Sequence, residues 1–185
     1  QTAYLKTYYP HEFFAASMSM ELSNQKKLSE FYEELKRLNI EIVRPDINKC
    51  FADFTSNGKQ FFYALGAIKN VGYEAISNIV KERENKGKFK NLSDFVKRVD
   101  PKDINKLQLE GLVRAGAFDN LNENRQSIFN SIPNIILKSK NNFENKQANQ
   151  FDLFDDKLSN EESILEKIED WNIDIRLTNE FETLG

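Results

Sequence analysis

Leu65-Gly66-Ala67-Ile68-Lys69-Asn70-Val71-Gly72-Tyr73-Glu74-Ala75-Ile76 carries the clearest structural pattern in the chain. It opens on a short apolar run, breaks at Lys69 and Asn70, and resumes after Gly72 with Ala75, Ile76, Ile79 and Val80 at helical spacing, up to Gly87. The pattern predicts a short apolar helix, a tight turn ending in Gly72 and a second helix over about residues 72 to 85. Such a turn points backbone N–H groups and a helix N-terminus at one spot. A glycine in it lets a ligand come close to the main chain, because no Cβ intervenes.

This is the helix-hairpin-helix pattern, and its physics suits phosphate oxygens. The candidate DNA-contacting residues are Lys69, Asn70, Val71 and Gly72, with Arg83 and Lys88 adding charge on the same or an adjoining surface. A degenerate second copy is visible at Leu109-Glu110-Gly111-Leu112-Val113-Arg114-Ala115-Gly116-Ala117-Phe118-Asp119, which adds Arg114 and Gly116 as candidates. Two such corners facing the two strands of a duplex would hold its backbone without reading bases, with an affinity that falls steeply as salt rises.

Outward from this stretch the chain reads as mainly α with a small β-hairpin element, a helical segment followed by the hairpin region. Leu28, Phe31, Leu35 and Leu38 predict an amphipathic helix over about 24 to 39, capped by Ser23 or Asn24 and closed by Asn39. Before it, Tyr4 to Met18 forms an apolar helical stretch interrupted at Pro10. Asn57-Gly58, between Phe51–Thr55 and Gln60–Leu65, signals a β-hairpin with a type I′ turn. Beyond the hairpin region Ser93 is expected to cap a short helix to about Val99, followed by one over about 103 to 115. A further helix carries Ile128, Ile132 and Ile135, kinked or restarted at Pro133. Residues 138 to about 158 are rich in Asn, Lys and Gln and read as a linker. Ser159 with Glu162 then makes a capping box for a final helix with the stripe Ile164, Ile168, Trp171 and Ile175, on which Asp170 and Asp174 face solvent.

The net charge of −3 conceals a partition. Residues 1–58 are nearly neutral at −1, with 7 basic and 8 acidic side chains. Residues 59–142 carry 15 basic against 9 acidic, a net +6. Residues 143–185 carry 4 against 12, a net −8. A basic middle in an acidic chain can meet phosphates locally without indiscriminate adhesion. One cysteine, Cys50, and one histidine, His11, build neither a disulfide framework nor a Cys/His zinc site. Cys50 is expected to pack beside the strand that follows it and His11 to decorate a turn after Pro10. No apolar run approaches the roughly 20 residues that span a bilayer. With no initiator methionine and no leader, the chain reads as a piece of something longer.

Within the linker, Gln150-Phe151-Asp152-Leu153-Phe154 sets large apolar side chains in a polar stretch that cannot bury them. Either they staple the linker back onto the chain, or they fill another protein's pocket. The spacing Gln-x-x-Leu-Phe resembles the peptide by which bacterial replication and repair proteins dock on the ring-shaped sliding clamp. That assigns Gln150, Asp152, Leu153 and Phe154 as clamp-binding residues.

Taken together, these features resemble the alpha subunit of bacterial DNA polymerase III, the C-family replicative polymerases. Tyr4-Leu5-Lys6 through Pro10-His11-Glu12-Phe13 is similar to the end of its fingers region, and Arg44-Pro45-Asp46-Ile47-Asn48 to one of its turns. Gly66 to Glu84 and Leu112 to Asp119 are similar to its tandem hairpins, and Trp171 to Gly185 to the lead-in to an OB-fold module. Arg44 and Asn70 are departures from its pattern.

The resemblance divides the chain into the end of the fingers with the start of the β element (1–58), tandem hairpins (59–137), linker with clamp peptide (138–158) and a final helix (159–185). It implies double-stranded DNA, the β sliding clamp and other polymerase III holoenzyme subunits as partners, no membrane, and a bacterial cytoplasmic setting. It also implies a DNA-directed DNA polymerase as parent, with Mg2+ held by palm aspartates. Those aspartates are not expected here, since Asp152, Asp155 and Asp156 lie in the linker where nothing could hold two ions at the geometry of in-line transfer. No catalytic residue, metal site or cofactor is therefore expected on this chain. A DNA-repair scaffold with hairpins and a clamp-docking peptide is the alternative, and a protein-interaction module for an acidic partner is a more distant one.

Overall fold

The computed structural model describes residues 2–147 and 164–184. Among the described residues it contains nine α-helices and a small three-stranded sheet. None of these helices is long and apolar enough to cross a membrane.

Helices α1 (Thr2–Tyr8) and α2 (Pro10–Ser19) are separated at Pro10, which occupies the first position of α2, where its missing N–H costs no hydrogen bond. His11 therefore lies in the first turn of α2 rather than in a connecting turn. Helix α3 (Gln25–Arg37) starts at Asn24, whose side chain accepts from the Lys27 N–H, and is followed by Asn39 at φ +54, a left-handed residue that cannot continue a helix. The apolar faces of α2 and α3 meet the sheet through an aromatic cluster: Phe14 lies edge-on to Phe31, Tyr32 stacks on Tyr63, and Phe54 touches Tyr32, Phe61 and Tyr63. Burial drives the Tyr32 hydroxyl pKa above its ordinary value and the Tyr63 hydroxyl to about 12.

Strands β1 (Ile42–Val43), β2 (Thr55–Ser56) and β3 (Phe61–Phe62) lie in the order β1-β3-β2, with β1 parallel and β2 antiparallel to β3. The turn between β2 and β3 differs from type I′. Only Gly58 has positive φ, at +82, while the Asn57 side chain accepts from the Lys59 and Gln60 amides. That side-chain bond does the work a second left-handed residue would otherwise do.

The rest is helical: α4 (Tyr73–Lys86), α5 (Leu92–Arg98), α6 (Lys106–Arg114), α7 (Arg125–Asn130), α8 (Ile132–Gln147) and α9 (Ile173–Leu184). Helix α5 is capped by Asn91, not Ser93, which is buried inside it. Two larger differences concern the end of the chain. Helix α8 runs through residues 138–147, where a linker is expected. Ile132, Ile135 and Ser139 are buried along it, and the Lys146 ammonium donates to the Lys97 carbonyl in the last turn of α5. A narrow buried face is enough to order a polar sequence when a neighbouring helix meets it. Conversely, residues 164–172 are not helical. Glu166 exchanges hydrogen bonds with Ser131 and Ser127, the Ile168 carbonyl accepts from Asn124, and Asp170 accepts from the Gln126 amide. These bonds to α7 and its flanks hold the main chain out of a helix, and Asp170 faces protein rather than solvent.

The turn at Arg44–Cys50, in which Pro45, Asp46, Ile47 and Cys50 are buried, ties the first part of the chain to the later helices. The Ile47 amide donates to the Ala117 carbonyl, Asn48 exchanges two hydrogen bonds with the Phe89 backbone, and Asp46 accepts from Asn120 and from the Asn48 amide. Cys50 is fully buried there, and burial raises its thiol pKa to about 11.

Candidate nucleic-acid interface

The first corner is built as the sequence predicts, with the leading helix shortened to a single 3-10 turn, Leu65–Ala67. Leu65, Ala67 and Ile68 are buried and fix the turn from below. Gly66 is required by the fold, because a Cβ there would lie 2.7 Å from the Ala52 carbonyl oxygen. The chain then reverses through Asn70 at φ +66. Asparagine is among the few residues that tolerate this conformation, so it performs the backbone task that glycine serves elsewhere.

Gly72 caps α4 with ordinary dihedrals, φ −76 and ψ 128, and supplies no side chain to the first-turn amides of the helix. Those amides have no partner within the helix, and they carry the positive end of its dipole. Lys69, Asn70, Gly72 and Tyr73 are exposed around this end, while Val71 is 8% exposed and contributes main chain only. A Cβ built on Gly72 would meet nothing nearer than the Gln108 amide oxygen at 3.6 Å. The fold itself does not demand glycine at this position.

Helix α6 lies against the corner. A Cβ on Gly111 would come within 2.6 Å of the Lys69 carbonyl oxygen, so glycine is what allows this contact. Gln108 is buried; its amide oxygen accepts from the Gly72 N–H at 3.4 Å and its amide nitrogen donates to the Asp103 carbonyl at 2.6 Å. Lys69, Asn70, Glu110, Arg114, Glu182 and Thr183 line one cleft beside the corner. Lys106, Glu110 and Arg114 repeat every four residues on one face of α6. Lys106, its ammonium 3.9 Å from the Glu110 carboxylate, is thus a cation of this face that the motif reading missed. The i, i+4, i+8 relation to Arg114 was the available signal. The corner is also less open than its sequence implies: the Lys69 amide donates to the Thr183 carbonyl at 3.1 Å, and the Arg114 guanidinium lies 3.4 Å from the Glu182 carboxylate.

The second corner does not mirror the first. Gly116, at φ +78, ends α6: its amide donates to the Val113 carbonyl and the Ala117 amide to the Leu112 carbonyl. That pair of bonds is a Schellman cap, so this glycine closes a helix instead of opening one to a ligand. It is also covered. Arg125 packs so tightly over Gly116 that a Cβ would lie 2.4 Å from the guanidinium. Arg125 itself is clasped by Asp119 and Glu180 at 2.7 and 2.8 Å. Burial works against the Arg125 charge, but these two carboxylates outweigh it and raise the pKa. Gly116 is therefore a structural glycine, and the expectation of two outward corners is corrected to one.

The helix-hairpin-helix motif family matches residues 39–128. Over all 185 residues the chain is 41% identical to the DNA polymerase III subunit alpha of Caulobacter vibrioides, of which it covers 16%. The chain belongs to the DNA polymerase III alpha subunit family. Further alpha subunits agree: 44% identity over 158 residues in Neisseria meningitidis serogroup A (84% of this chain, 14% of that protein), and 44% over 119 residues in Thermus aquaticus (64% and 10%). The chain spans about a sixth of the length of the alpha subunits it matches along its whole length.

Of the remaining candidate residues in this alpha-subunit segment, two stand apart from the corner. Arg83 points inward, only 6% exposed; it donates to the Ile47 and Cys50 carbonyls at 2.8 and 2.6 Å and stacks on Phe51. Burial lowers its pKa, and its charge is spent on tying α4 to the Arg44–Cys50 turn. Lys88 is exposed but follows Gly87 at the far end of the fourteen-residue α4, roughly 20 Å from Gly72 at 1.5 Å per residue. Gln150, Asp152, Leu153 and Phe154 lie outside the described residues.

Proposed function

We propose that this chain grips the backbone of double-stranded DNA through the Lys69–Gly72 corner, without reading bases, as a non-catalytic part of a replicative DNA polymerase. The observation that carries the reading is the exposed corner itself: an uncapped α4 N-terminus, a glycine the fold does not need and the cations Lys69, Lys106 and Arg114, in a chain of alpha-subunit ancestry. One such corner supplies main-chain donors and positive charge to phosphates and nothing shaped to base edges. Holding the duplex behind a primer end reduces the positional freedom that end must lose before reaction.

No step of nucleotidyl transfer is assigned to this chain on this reading. Mg2+ belongs, on this reading, to the parent polymerase. Gln150, Asp152, Leu153 and Phe154 serve as the peptide that docks on the β sliding clamp, which raises the polymerase's effective concentration at the primer end. This second element rests on the sequence pattern.

Both are tested by substitution. Lys69→Glu weakens duplex binding by the same factor on unrelated sequences, and a loss confined to one sequence refutes backbone recognition. Leu153→Ala with Phe154→Ala abolishes clamp binding, at a cost above about 2 kcal/mol, and leaves duplex binding intact. Unchanged clamp affinity in that double variant removes the peptide from the account.

A further inference from the structure

The end of the chain meets the hairpin region through oxygen atoms that take its amides and cations. Asp170 accepts from the Gln126 amide in the first turn of α7 and pairs with Arg176. Burial opposes its ionisation, but the Gln126 and Trp171 amides and Arg176 outweigh it and hold the carboxyl below the usual range. Glu180 takes Arg125, Glu182 takes Arg114, and the Thr183 carbonyl takes the Lys69 amide. The last two are at the corner proposed to hold DNA.

The way this segment is held differs along its length. Residues 164–172 are anchored by buried Ile164, by the contact of Trp171 with Phe129 and by the hydrogen bonds to α7 and its flanks described above. Helix α9 is pinned by Glu180, which pairs with the buried Arg125 at 2.8 Å, and is held more loosely beyond it. Of its residues only Thr183 is buried, while Ile173, Leu177 and Phe181 are 65%, 55% and 75% exposed. Beyond Glu180 its grip on the corner is an exposed ion pair, Glu182 with Arg114, and one main-chain hydrogen bond, with Leu184 partly buried against the core. Exposed pairs of this kind are weak and readily displaced.

We propose that the last turn of α9, residues 181–184, is a displaceable acidic strap, hinged at the Glu180–Arg125 pair, that competes with duplex phosphates for the Lys69 amide and Arg114. Duplex binding releases that turn, and the strap holds back the corner when no duplex is present. The inference rests on the DNA-binding reading above.

The test compares three forms of the 185-residue chain, unsubstituted, Glu182→Gln and Asp174→Asn, in fluorescence anisotropy with one short duplex. Asp174 is on the same helix and exposed, away from the corner, so its substitution removes the same charge without touching the strap contact. Glu182→Gln binds duplex about two- to fivefold more tightly than Asp174→Asn, the range set by one exposed ion pair. Hydrogen exchange gives the second reading: on adding duplex, amides of residues 181–184 exchange faster. Equal affinities in the two variants, or slower exchange at 181–184 with duplex bound, overturn the strap and leave the DNA-binding reading standing. If none of the three forms binds duplex at low salt, the DNA-binding reading fails and the strap with it.

Discussion

Two glycines at the corner separate what the fold requires from what the proposed DNA contact requires. At Gly72 an added methyl meets only the Gln108 oxygen at 3.6 Å and the Ala75 Cβ at 3.9 Å, and φ is −76. Alanine caps a helix less well than glycine by about 0.5 kcal/mol, but it restricts the unfolded chain by a comparable 0.4–1 kcal/mol. The two effects offset each other, so Gly72→Ala leaves the melting midpoint within about 2 °C. At Gly111 the methyl lies 2.6 Å from the Lys69 carbonyl oxygen, a main-chain atom that cannot step aside alone. Gly111→Ala overpacks the contact at about 2–3 kcal/mol, roughly 5–10 °C for a chain of this size. Duplex binding orders the variants differently. The Gly72 methyl stands where phosphate approaches, and losing one or more charge-assisted bonds of about 1.5–3 kcal/mol weakens binding at least tenfold. The assay is thermal unfolding by circular dichroism beside anisotropy on the same samples. A Gly72→Ala chain that is stable and binds duplex as before refutes the placement of phosphate at this corner.

Further tests bear on the scaffold beneath it. Arg83→Ala strands the buried Ile47 and Cys50 carbonyls and costs about 3–5 kcal/mol, read as a lowered denaturation midpoint; the folded fraction keeps its duplex affinity, because Arg83 does not reach the surface. Cys50, fully buried with its thiol raised to about 11, resists a disulfide reagent at pH 9 in the native chain and reacts at once in urea. Because the folded value is raised, the associated stability is intact below the ordinary thiol value of 9.0 and is lost as pH climbs towards 11, seen as a falling denaturation midpoint across that window.

What the sequence made legible is whatever depends on local spacing. The α3 stripe with its Asn24 cap, α4 from Gly72 to Gly87, and the Lys69–Gly72 corner each follow from residues close in the chain. What escaped depends on distant partners. Arg83 shares a helix with exposed lysines, and only the Arg44–Cys50 turn, more than thirty residues earlier, turns it inward. Gly116 follows an apolar run much as Gly72 does; that it ends α6 instead of opening another helix is set by its φ of +78 and by Arg125 packed above it. Residues 138–147 carry too few apolar groups to look ordered, yet α8 needs only a narrow face against α5. Residues 164–172 show helical apolar spacing, but the Ser127, Ser131 and Asn124 side chains outbid helical hydrogen bonding for their backbone groups.

The central claim is that phosphates, not bases, are held at a corner flanked by Lys69, Lys106 and Arg114. The most direct measurement is the salt dependence of duplex affinity on two unrelated sequences. Three phosphate contacts give a slope of log K against log salt near about −3, the same for both duplexes. A flat salt response, or slopes and affinities that differ between the two sequences, contradicts it.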